Sequence, residues 1–325
     1  MSMNLMYITR DPGIAKIAQA SGVDWIFVDL EIIGKHDRQG HLDTVISGHT
    51  LEDVRAVRAV LDTSKLLVRV NPIHSKSPRE IDDVIEAGAD IVMLPFFHHR
   101  QEVAEFVEAV GGRAKTCLLL ETPGAVEHLD EILTVEGIDY VHIGLNDLHL
   151  GYGLPFMFDL LANGTVEHLM QRLAQAGLPC GFGGIARLGH GDLPAEAIIA
   201  EHHRMGSSMA ILSRSFCMAN SESDLKQIEA LFLHEVARIR AYEEFLTQQD
   251  EWFFEDNRMT VGRVVGEISA RRAAAAAAKV AVAGLTGGNE VPVGFPQAAF
   301  SRMRVSVADA ISRLVTVPDE ATESA

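Results

Sequence analysis

The stretch EAGADIVMLP, residues 86–95, contains the local pattern that decides the fold. It combines a helix end, a glycine turn and a short apolar strand. Gly88 suits the position after the helix because glycine adopts a positive φ without steric penalty. The run IVML that follows is apolar at consecutive positions, as in strands that are covered on both faces. The stretch therefore predicts one helix-to-strand joint of a parallel sheet flanked by helices.

The same joint recurs at residues 20–24 and 135–139, and short apolar runs alternate with amphipathic stretches from residue 4 to residue 250. Eight β/α units in roughly 215 residues fit a closed barrel. We therefore expect an α/β fold, a (β/α)8 TIM barrel with a C-terminal helical extension. A doubly wound sheet is the alternative, although no glycine-rich dinucleotide loop supports it. The predicted strands are residues 5–9, 25–29, 66–70, 91–94, 116–120, 140–143, 180–183 and 208–212.

The composition changes near residue 258, and residues 273–278 are six consecutive alanines. Strand–helix alternation is absent beyond this point, so we predict a barrel followed by a C-terminal tail with an alanine-rich helix, a second short helix and a disordered end. The predicted bounds are 1–257 for the barrel, about 221–246 for its long last helix, 258–325 for the tail, and roughly 263–282 and 306–314 for the tail's two helices.

The balance of charges limits the classes of partner. The chain has 45 acidic and 28 basic residues and a formal net charge of −17. Nucleic-acid binding needs clustered Lys and Arg, so we expect no nucleic-acid partner. The first residues have no signal-peptide pattern, and no run of about 18 apolar residues indicates a membrane span. Three scattered cysteines, Cys117, Cys180 and Cys217, indicate buried reduced thiols and a cytoplasmic setting.

Polar residues at the ends of the predicted strands mark the candidate site, because barrel enzymes bind their substrates at the C-terminal ends of the strands. Glu121 follows the fifth strand and Asp147 follows the sixth. Two carboxylates on adjacent strands suit a hard divalent cation, with Mg²⁺ or Mn²⁺ preferred for oxygen ligands. The alternative for Asp147 is a cap on the helix that follows.

Arg69 closes the third predicted strand. A guanidinium at this position can bind a carboxylate and stabilise an enolate oxygen. The alternative is a structural ion pair with Asp29 or Glu31, and both interpretations can hold together.

Five segments resemble the HpcH/HpaI aldolase and citrate lyase β-subunit superfamily, over roughly residues 4–245. The fourth and fifth are similar to the family's metal-Glu strand and metal-Asp loop. The segments are WIFVDLE (25–31), LLVRVNP (66–72), EAGADIVMLP (86–95), LLLETPGAVEHLDEI (118–132) and GIDYVHIGLNDLHLGYG (137–153).

The resemblance implies a class II pyruvate-type aldolase whose divalent metal (Mg²⁺ or Mn²⁺, with Co²⁺ as a further option) is held by Glu121 and Asp147. It implies that Arg69 binds the oxo and carboxylate oxygens of the substrate, and that backbone N–H groups of the loop 144–147 bind the carboxylate. It also implies a homo-oligomer, in many members a hexamer that exchanges its last helix. Further residues complete the predicted site: Gly144, Asn146 and Leu212 at the substrate, and Asp29, Glu31 and Glu86 behind the metal and the arginine.

The loop after the second strand departs from the family pattern. Many aldolases of the family carry a histidine directly after the acid of strand two, where this chain has Ile32. The long loop beyond it contains three histidines, and we expect His41 or His36 to serve as the base near neutral pH. The third is His49.

Three functions remain open from the sequence. The first is an aldolase that joins or separates a 2-oxo acid and an aldehyde. The second is a citrate lyase-like acyl-CoA lyase of the malyl- or citramalyl-CoA type, because the motif DLE at residues 29–31 is nearer to that branch. The third is a catalytically silent barrel that acts as a binding or assembly protein.

Overall fold

The computed structural model describes residues 2–34, 48–213, 216–217 and 224–286. The chain divides into two units, residues 1–272 and residues 273–325. The first is the barrel with the helices that surround it. The second is described only over residues 273–286, which are helical.

Eight parallel strands close into a barrel in the order of the chain, with β1 paired to both β2 and β8. The predicted (β/α)8 barrel is confirmed, and the doubly wound sheet is wrong, because such a sheet stays open at its edges. The strands are β1 Asn4–Ile8, β2 Trp25–Asp29, β3 Lys65–Arg69, β4 Ile91–Leu94, β5 Lys115–Leu120, β6 Tyr140–Ile143, β7 Cys180–Ile185 and β8 Met209–Leu212.

Helices follow the strands around the barrel. The three glycines predicted to end helices adopt positive φ angles of 92° at Gly22, 101° at Gly88 and 92° at Gly137. The helices in the described residues are α1 Pro12–Ala20, α2 Leu51–Arg58, α3 Ser77–Glu86, α4 Arg100–Val110, α5 Pro123–Glu127, α6 Leu129–Ile132, α7 Leu145–Gly151, α8 Asp159–Ala162, α9 Thr165–Gln175, α10 Ala195–Arg204, α11 Leu225–Leu246 and α12 Glu251–Thr286.

Alternate residues of each strand face the barrel interior, because successive side chains of a strand point to opposite faces. Phe27, Leu67 and Leu119 belong to the hydrophobic cluster inside the barrel, whereas their neighbours along each strand pack in the outer layer against the helices. Two residues further along, the same alternation reaches Asp29, Arg69 and Glu121. The polar residues predicted for the site therefore stand on the interior side of the barrel mouth.

β7 differs from its predicted bounds. It extends to Ile185, two residues beyond the prediction, and its register with β8 shifts between Gly181 and Gly184. Gly183 has a φ of 49°, which an extended strand does not contain. This irregularity interrupts the apolar run from which the strand's end was predicted.

The C-terminal part of the described chain is one long helix, α12. Its residues Val261, Val265 and Ile268 are buried, and the side chain of Asn257 donates to Glu201 of α10 at 2.8 Å. The boundary predicted after residue 257 lies within α12 and stays a prediction. Of the predicted tail, the short helix near 306–314 and the end of the chain lie outside the described residues.

Two smaller expectations concern thiols and membranes. Cys117, Cys180 and Cys217 are buried and form no disulfide, as predicted. Within the described ranges, no helix combines the length and the apolar character that a bilayer crossing requires.

Candidate active site

Arg69 is held at the barrel mouth by two buried carboxylates. β2 and β3 are in register so that Asp29 lies directly beside Arg69. The Nε and Nη2 atoms of Arg69 donate to Oδ1 and Oδ2 of Asp29, both at 2.8 Å. Oε2 of Glu31 lies 3.4 Å from Nη2. The Asp29 and Glu31 side chains are 2% and 1% exposed, so this fork geometry is shielded from solvent.

Arg69 carries a positive charge that its acidic neighbours stabilise. Burial lowers its pKa, but the charges of Asp29, Glu31 and Glu121 outweigh this effect, and the net shift is upward. The ring of Phe27 lies 5.5 Å below the guanidinium carbon. Within the described residues Nη1 has no hydrogen-bond partner, so the outer edge of the guanidinium remains a donor for a ligand. The predicted ion pair is thus confirmed, whereas the binding of substrate by Arg69 stays a proposal.

Glu121 directly follows β5 and is 4% exposed. Its Oε1 accepts a hydrogen bond from the backbone N–H of Phe96 at 3.2 Å. Phe96 follows β4 and has a φ of 49°, which costs a non-glycine residue about 1 kcal/mol or more. The loop after β4 is therefore bent so that a backbone donor fixes the carboxylate of Glu121.

Gly144 directly follows β6 and lies against Glu121. A Cβ atom at residue 144 would lie 2.8 Å from both Cβ and Oε2 of Glu121, closer than real contacts allow. The φ of Gly144 is −82°, so the reason for glycine here is space and not backbone conformation. Its N–H donates to the carbonyl of Leu120 at 2.9 Å. This N–H is therefore not available for the substrate contact that the resemblance implies.

Replacement of Gly144 by alanine tests this close approach. We expect Gly144→Ala to displace the carboxylate of Glu121, to weaken Mn²⁺ binding by about tenfold or more and to lower activity at least as much. Gly262→Ala on α12, where a Cβ meets no atom within 4 Å, is the matched control. Isothermal titration with Mn²⁺ measures the effect. Equal Mn²⁺ affinity in Gly144→Ala and wild type contradicts the prediction.

Asp147 lies on α7, the helix that starts the segment after β6. It is 8% exposed, and the exposed Asn146 donates from Nδ2 to its Oδ1 at 3.4 Å. The cap of α7 is Gly144, and no side chain caps the helix. The alternative role of Asp147 as a helix cap is therefore wrong. His149, two residues further along, forms a hydrogen bond of 3.1 Å between its Nδ1 atom and the Leu145 carbonyl, and burial lowers its pKa.

The donor chemistry of this mouth fits a hard divalent cation. Glu121 and Asp147 are buried carboxylates on successive β/α units, which is the oxygen donor set that Mg²⁺ and Mn²⁺ prefer. Among the residues that the structure describes, no group of three or more His, Cys, Asp or Glu side chains could hold a metal ion by itself. Two protein carboxylates leave the remaining coordination positions to substrate and water, as catalysis at a metal requires.

Several predicted residues lie elsewhere. Leu212 packs in the outer hydrophobic layer between strands and helices, because its position in β8 points away from the barrel interior. Glu86 is the last residue of α3 and is exposed at the opposite end of the barrel, since each helix runs back towards the start of the next strand. Neither is positioned to support the metal or the substrate. His36 and His41 lie outside the described residues.

Two residues at the mouth were missed or passed over. The Oδ1 atom of Asn71 accepts the N–H groups of Ile32 and Ile33, both at 2.9 Å. The Nδ1 atom of His49 accepts the backbone N–H of Asp29 at 3.0 Å. Asn71 stands two residues after Arg69 and thus follows the same alternation, which is the signal that could have found it. Nothing local marks His49 over its two neighbours in the loop.

A pair of buried histidines adds a pH dependence of stability. Burial lowers the pKa of His142 to about 4 and that of His202 to about 3, and the unfolded chain binds protons near 6.5. As pH falls below 6.5, these two histidines bind protons in the unfolded state but remain neutral in the folded state. We therefore expect stability to fall by on the order of 3 kcal/mol for each of the two histidines between pH 6.5 and pH 4.

Chemical denaturation at pH 7 and pH 4.5 checks this expectation. His202→Gln should flatten the dependence, because one buried imidazole no longer resists protonation. His190→Gln, at an exposed position, should leave it unchanged. A slope that is identical in all three proteins contradicts the assignment.

Comparisons with known proteins agree with this geometry. The model of the HpcH/HpaI aldolase/citrate lyase family matches residues 4–156. The 2-keto-3-deoxy-L-rhamnonate aldolases of Escherichia coli K12 and of Escherichia coli O157:H7 are each 28% identical, over 53% of this chain and 71% of the relative. An HpcH/HpaI aldolase structure from Desulfitobacterium hafniense DCB-2 has a TM-score of 0.52 at 18% identity, covers 74% of this chain and 93% of its own, and supports the fold. The chain is therefore similar to the HpcH/HpaI aldolase/citrate lyase family over residues 4–156, and this similarity indicates a carbon–carbon lyase.

Proposed function

We propose that this protein is an aldolase that uses a divalent metal to form or cleave the bond between a pyruvate-type 2-oxo acid and an aldehyde. The observation that carries the proposal is the placement of buried Glu121 beside an arginine that two other buried carboxylates orient. A cation site and a fixed guanidinium are the two parts that an enolate needs. Aldolases of this class generally depend on a divalent metal.

The residues of this chain divide the work. Glu121 and Asp147 would hold the ion, for which we propose Mg²⁺ or Mn²⁺, with Co²⁺ as a further option; when bound, it polarises the 2-oxo group. The open edge of Arg69 would bind the carboxylate and the oxo oxygen of the substrate. Because negative charge grows on that oxygen during reaction, Arg69 binds the transition state more tightly than the ground state.

Proton transfer would fall to the histidines of the loop after β2. His41 and His36 remain our proposed bases. His49 is the one whose ring the structure describes, and its Nδ1 is an acceptor from Asp29. In the neutral ring the proton then sits on Nε2, so this atom of His49 can donate a hydrogen bond but cannot remove a proton. Loss of pyruvate deuterium exchange in His36→Ala or His41→Ala, but not in His49→Ala, would support this division.

For the substrate we propose a 2-keto-3-deoxy sugar acid, because the Escherichia coli relatives are named as aldolases of 2-keto-3-deoxy-L-rhamnonate. The second candidate is an acyl-CoA lyase, which only the motif DLE at residues 29–31 favours. In the structure Asp29 and Glu31 of this motif face Arg69. Their observed role is thus to hold the arginine, which both candidate reactions can use.

Deuterium exchange of the pyruvate methyl group, followed by NMR with added Mg²⁺ or Mn²⁺, tests the aldolase. Exchange that needs the metal and disappears on chelation supports the proposal. Cleavage assays with 2-keto-3-deoxy-L-rhamnonate and with malyl- and citramalyl-CoA then separate the two reactions. Absence of exchange with either metal, together with cleavage of a CoA thioester, would replace the aldolase by the acyl-CoA lyase.

We further propose that the protein is a cytoplasmic homo-oligomer, with a hexamer as the specific form. It acts on small molecules and binds neither nucleic acid nor membranes. The long helix α11 is compatible with the helix exchange that the family resemblance implies. Analytical ultracentrifugation gives the mass in solution. A monomer at micromolar concentration would contradict the oligomer.

A further inference from the structure

Asn71 connects the segment after Glu31 to the body of the barrel. It is 8% exposed and uses both ends of its amide. Oδ1 accepts the N–H groups of Ile32 and Ile33, and Nδ2 donates to Oε1 of Glu80 at 2.7 Å. Two consecutive backbone donors on one oxygen fix the direction in which the chain leaves Glu31.

The neighbours of Asn71 permit only one orientation of its amide. The Nδ1 atom of His74 accepts the N–H of Lys76 at 3.0 Å, so the ring proton lies on Nε2 and is donated to Oε2 of Glu80 at 3.1 Å. The carboxylate of Glu80 only accepts hydrogen bonds, so it selects the NH₂ end of Asn71. The carbonyl end must therefore face the backbone of Ile32 and Ile33.

This segment leads directly to the arginine. Glu31 precedes Ile32, its N–H donates to Oδ1 of Asp29 at 3.2 Å, and its carboxylate lies 3.4 Å from Nη2 of Arg69. Movement of the backbone at residues 32–33 would carry Glu31 away from Arg69. The guanidinium would then keep its hydrogen bonds to Asp29 but lose its contact with Glu31, the second carboxylate that orients it.

We infer that Asn71, oriented by Glu80, is a positioning residue that aims Arg69 at the carboxylate of the substrate. The inference rests on the proposed function for the identity of that substrate. The proposed metal ligands Glu121 and Asp147 belong to other β/α units, and no hydrogen bond of Asn71 reaches them. Loss of Asn71 should therefore weaken binding of the 2-oxo acid and leave binding of the metal unchanged.

A reciprocal pair of substitutions tests the inference. Asn71→Asp keeps the acceptor for Ile32 and Ile33 but places a second carboxylate against Glu80. Adding Glu80→Gln places an amide donor against that new carboxylate, although the backbone N–H of residue 71 then loses its contact of 3.2 Å to Oε1 of Glu80. With Mn²⁺ present, we expect the Kd of oxalate, a planar analogue of the pyruvate enolate, to rise about tenfold in Asn71→Asp and to return to within about threefold in the double variant.

Kinetics and metal titration separate positioning from general damage. The KM of the 2-oxo acid should rise about tenfold in Asn71→Asp while kcat and the Kd of Mn²⁺ change less than about threefold. Thr116→Val is the matched control, since it removes a buried hydroxyl contact of 2.7 Å to the Gly137 carbonyl at the other end of the barrel. It should lower Tm without changing KM.

Hydrogen exchange makes the outcome independent of activity. The amides of residues 32–33 should exchange faster in Asn71→Asp and return towards the wild-type rate in the double variant. The exchange is carried out on the intact protein and measured by mass spectrometry of its peptides. If the wild-type protein binds no oxalate in the presence of Mn²⁺, the proposed function is refuted. Hydrogen exchange alone then tests whether Asn71 holds residues 32–33. Unchanged exchange, unchanged oxalate binding in Asn71→Asp, or failure of the double variant to recover overturns the inference.

Discussion

Replacement of Glu121 by glutamine or of Asp147 by asparagine should lower kcat/KM for cleavage of the 2-oxo acid substrate by about 10³-fold or more. Each change keeps the size of the side chain and removes the negative charge that binds a divalent ion. A 10³-fold loss corresponds to about 4 kcal/mol of transition-state stabilisation, which is the scale of a lost metal contact. Both residues are buried.

The measurement pairs activity with metal affinity. Wild type depleted of metal should recover with Mn²⁺, whereas Glu121→Gln and Asp147→Asn should recover only partly at high concentration. Glu131→Gln, an exposed acid on α6, is the matched control and should behave as wild type. Full metal-stimulated activity in either variant would show that the ion is held elsewhere.

Arg69→Lys should lower kcat/KM by about 10²-fold while the Kd of Mn²⁺ stays within about threefold of wild type. Lysine keeps the charge that Asp29 and Glu31 need, but an ammonium cannot donate in parallel to Oδ1 and Oδ2 of Asp29 and still present a free edge to the substrate. The loss should appear in oxalate binding as well as in turnover.

Arg69→Met should instead affect folding. It leaves two carboxylates buried without their cation, which costs about 3–5 kcal/mol. Arg55→Lys, in an exposed pair with Glu52, is the control for the chemical change and should alter neither stability nor activity. Equal activity of Arg69→Lys and Arg55→Lys would remove Arg69 from the mechanism.

The sequence located the strands well because the signal for each strand is local. An apolar run after a glycine turn indicates a buried strand whatever the rest of the chain does. Seven of the eight predicted strands lie within one residue of the observed bounds at each end. β7 ended later than expected because a register shift at Gly181 and Gly184 interrupts the pattern. A shift of this kind depends on the neighbouring strand.

The site was predictable in part. Arg69 and Glu121 stand two residues beyond interior positions of their strands, and closure of the barrel then brings them to one mouth. Glu86 was misplaced because a residue just before a strand lies at the barrel's other end. Leu212 was misplaced because alternation along β8 turns it outward, and alternation is hard to read in a strand that is apolar on both faces.

The sequence by itself determined the barrel, the two candidate metal ligands and the arginine, because periodicity and strand ends are properties of short segments. Only the tertiary structure decided what surrounds them. Three contacts each join segments 20 or more residues apart: Gly144 with Glu121, Asn71 with residues 32–33, and His49 with Asp29. Such contacts depend on distances that barrel closure sets, and no local pattern encodes them.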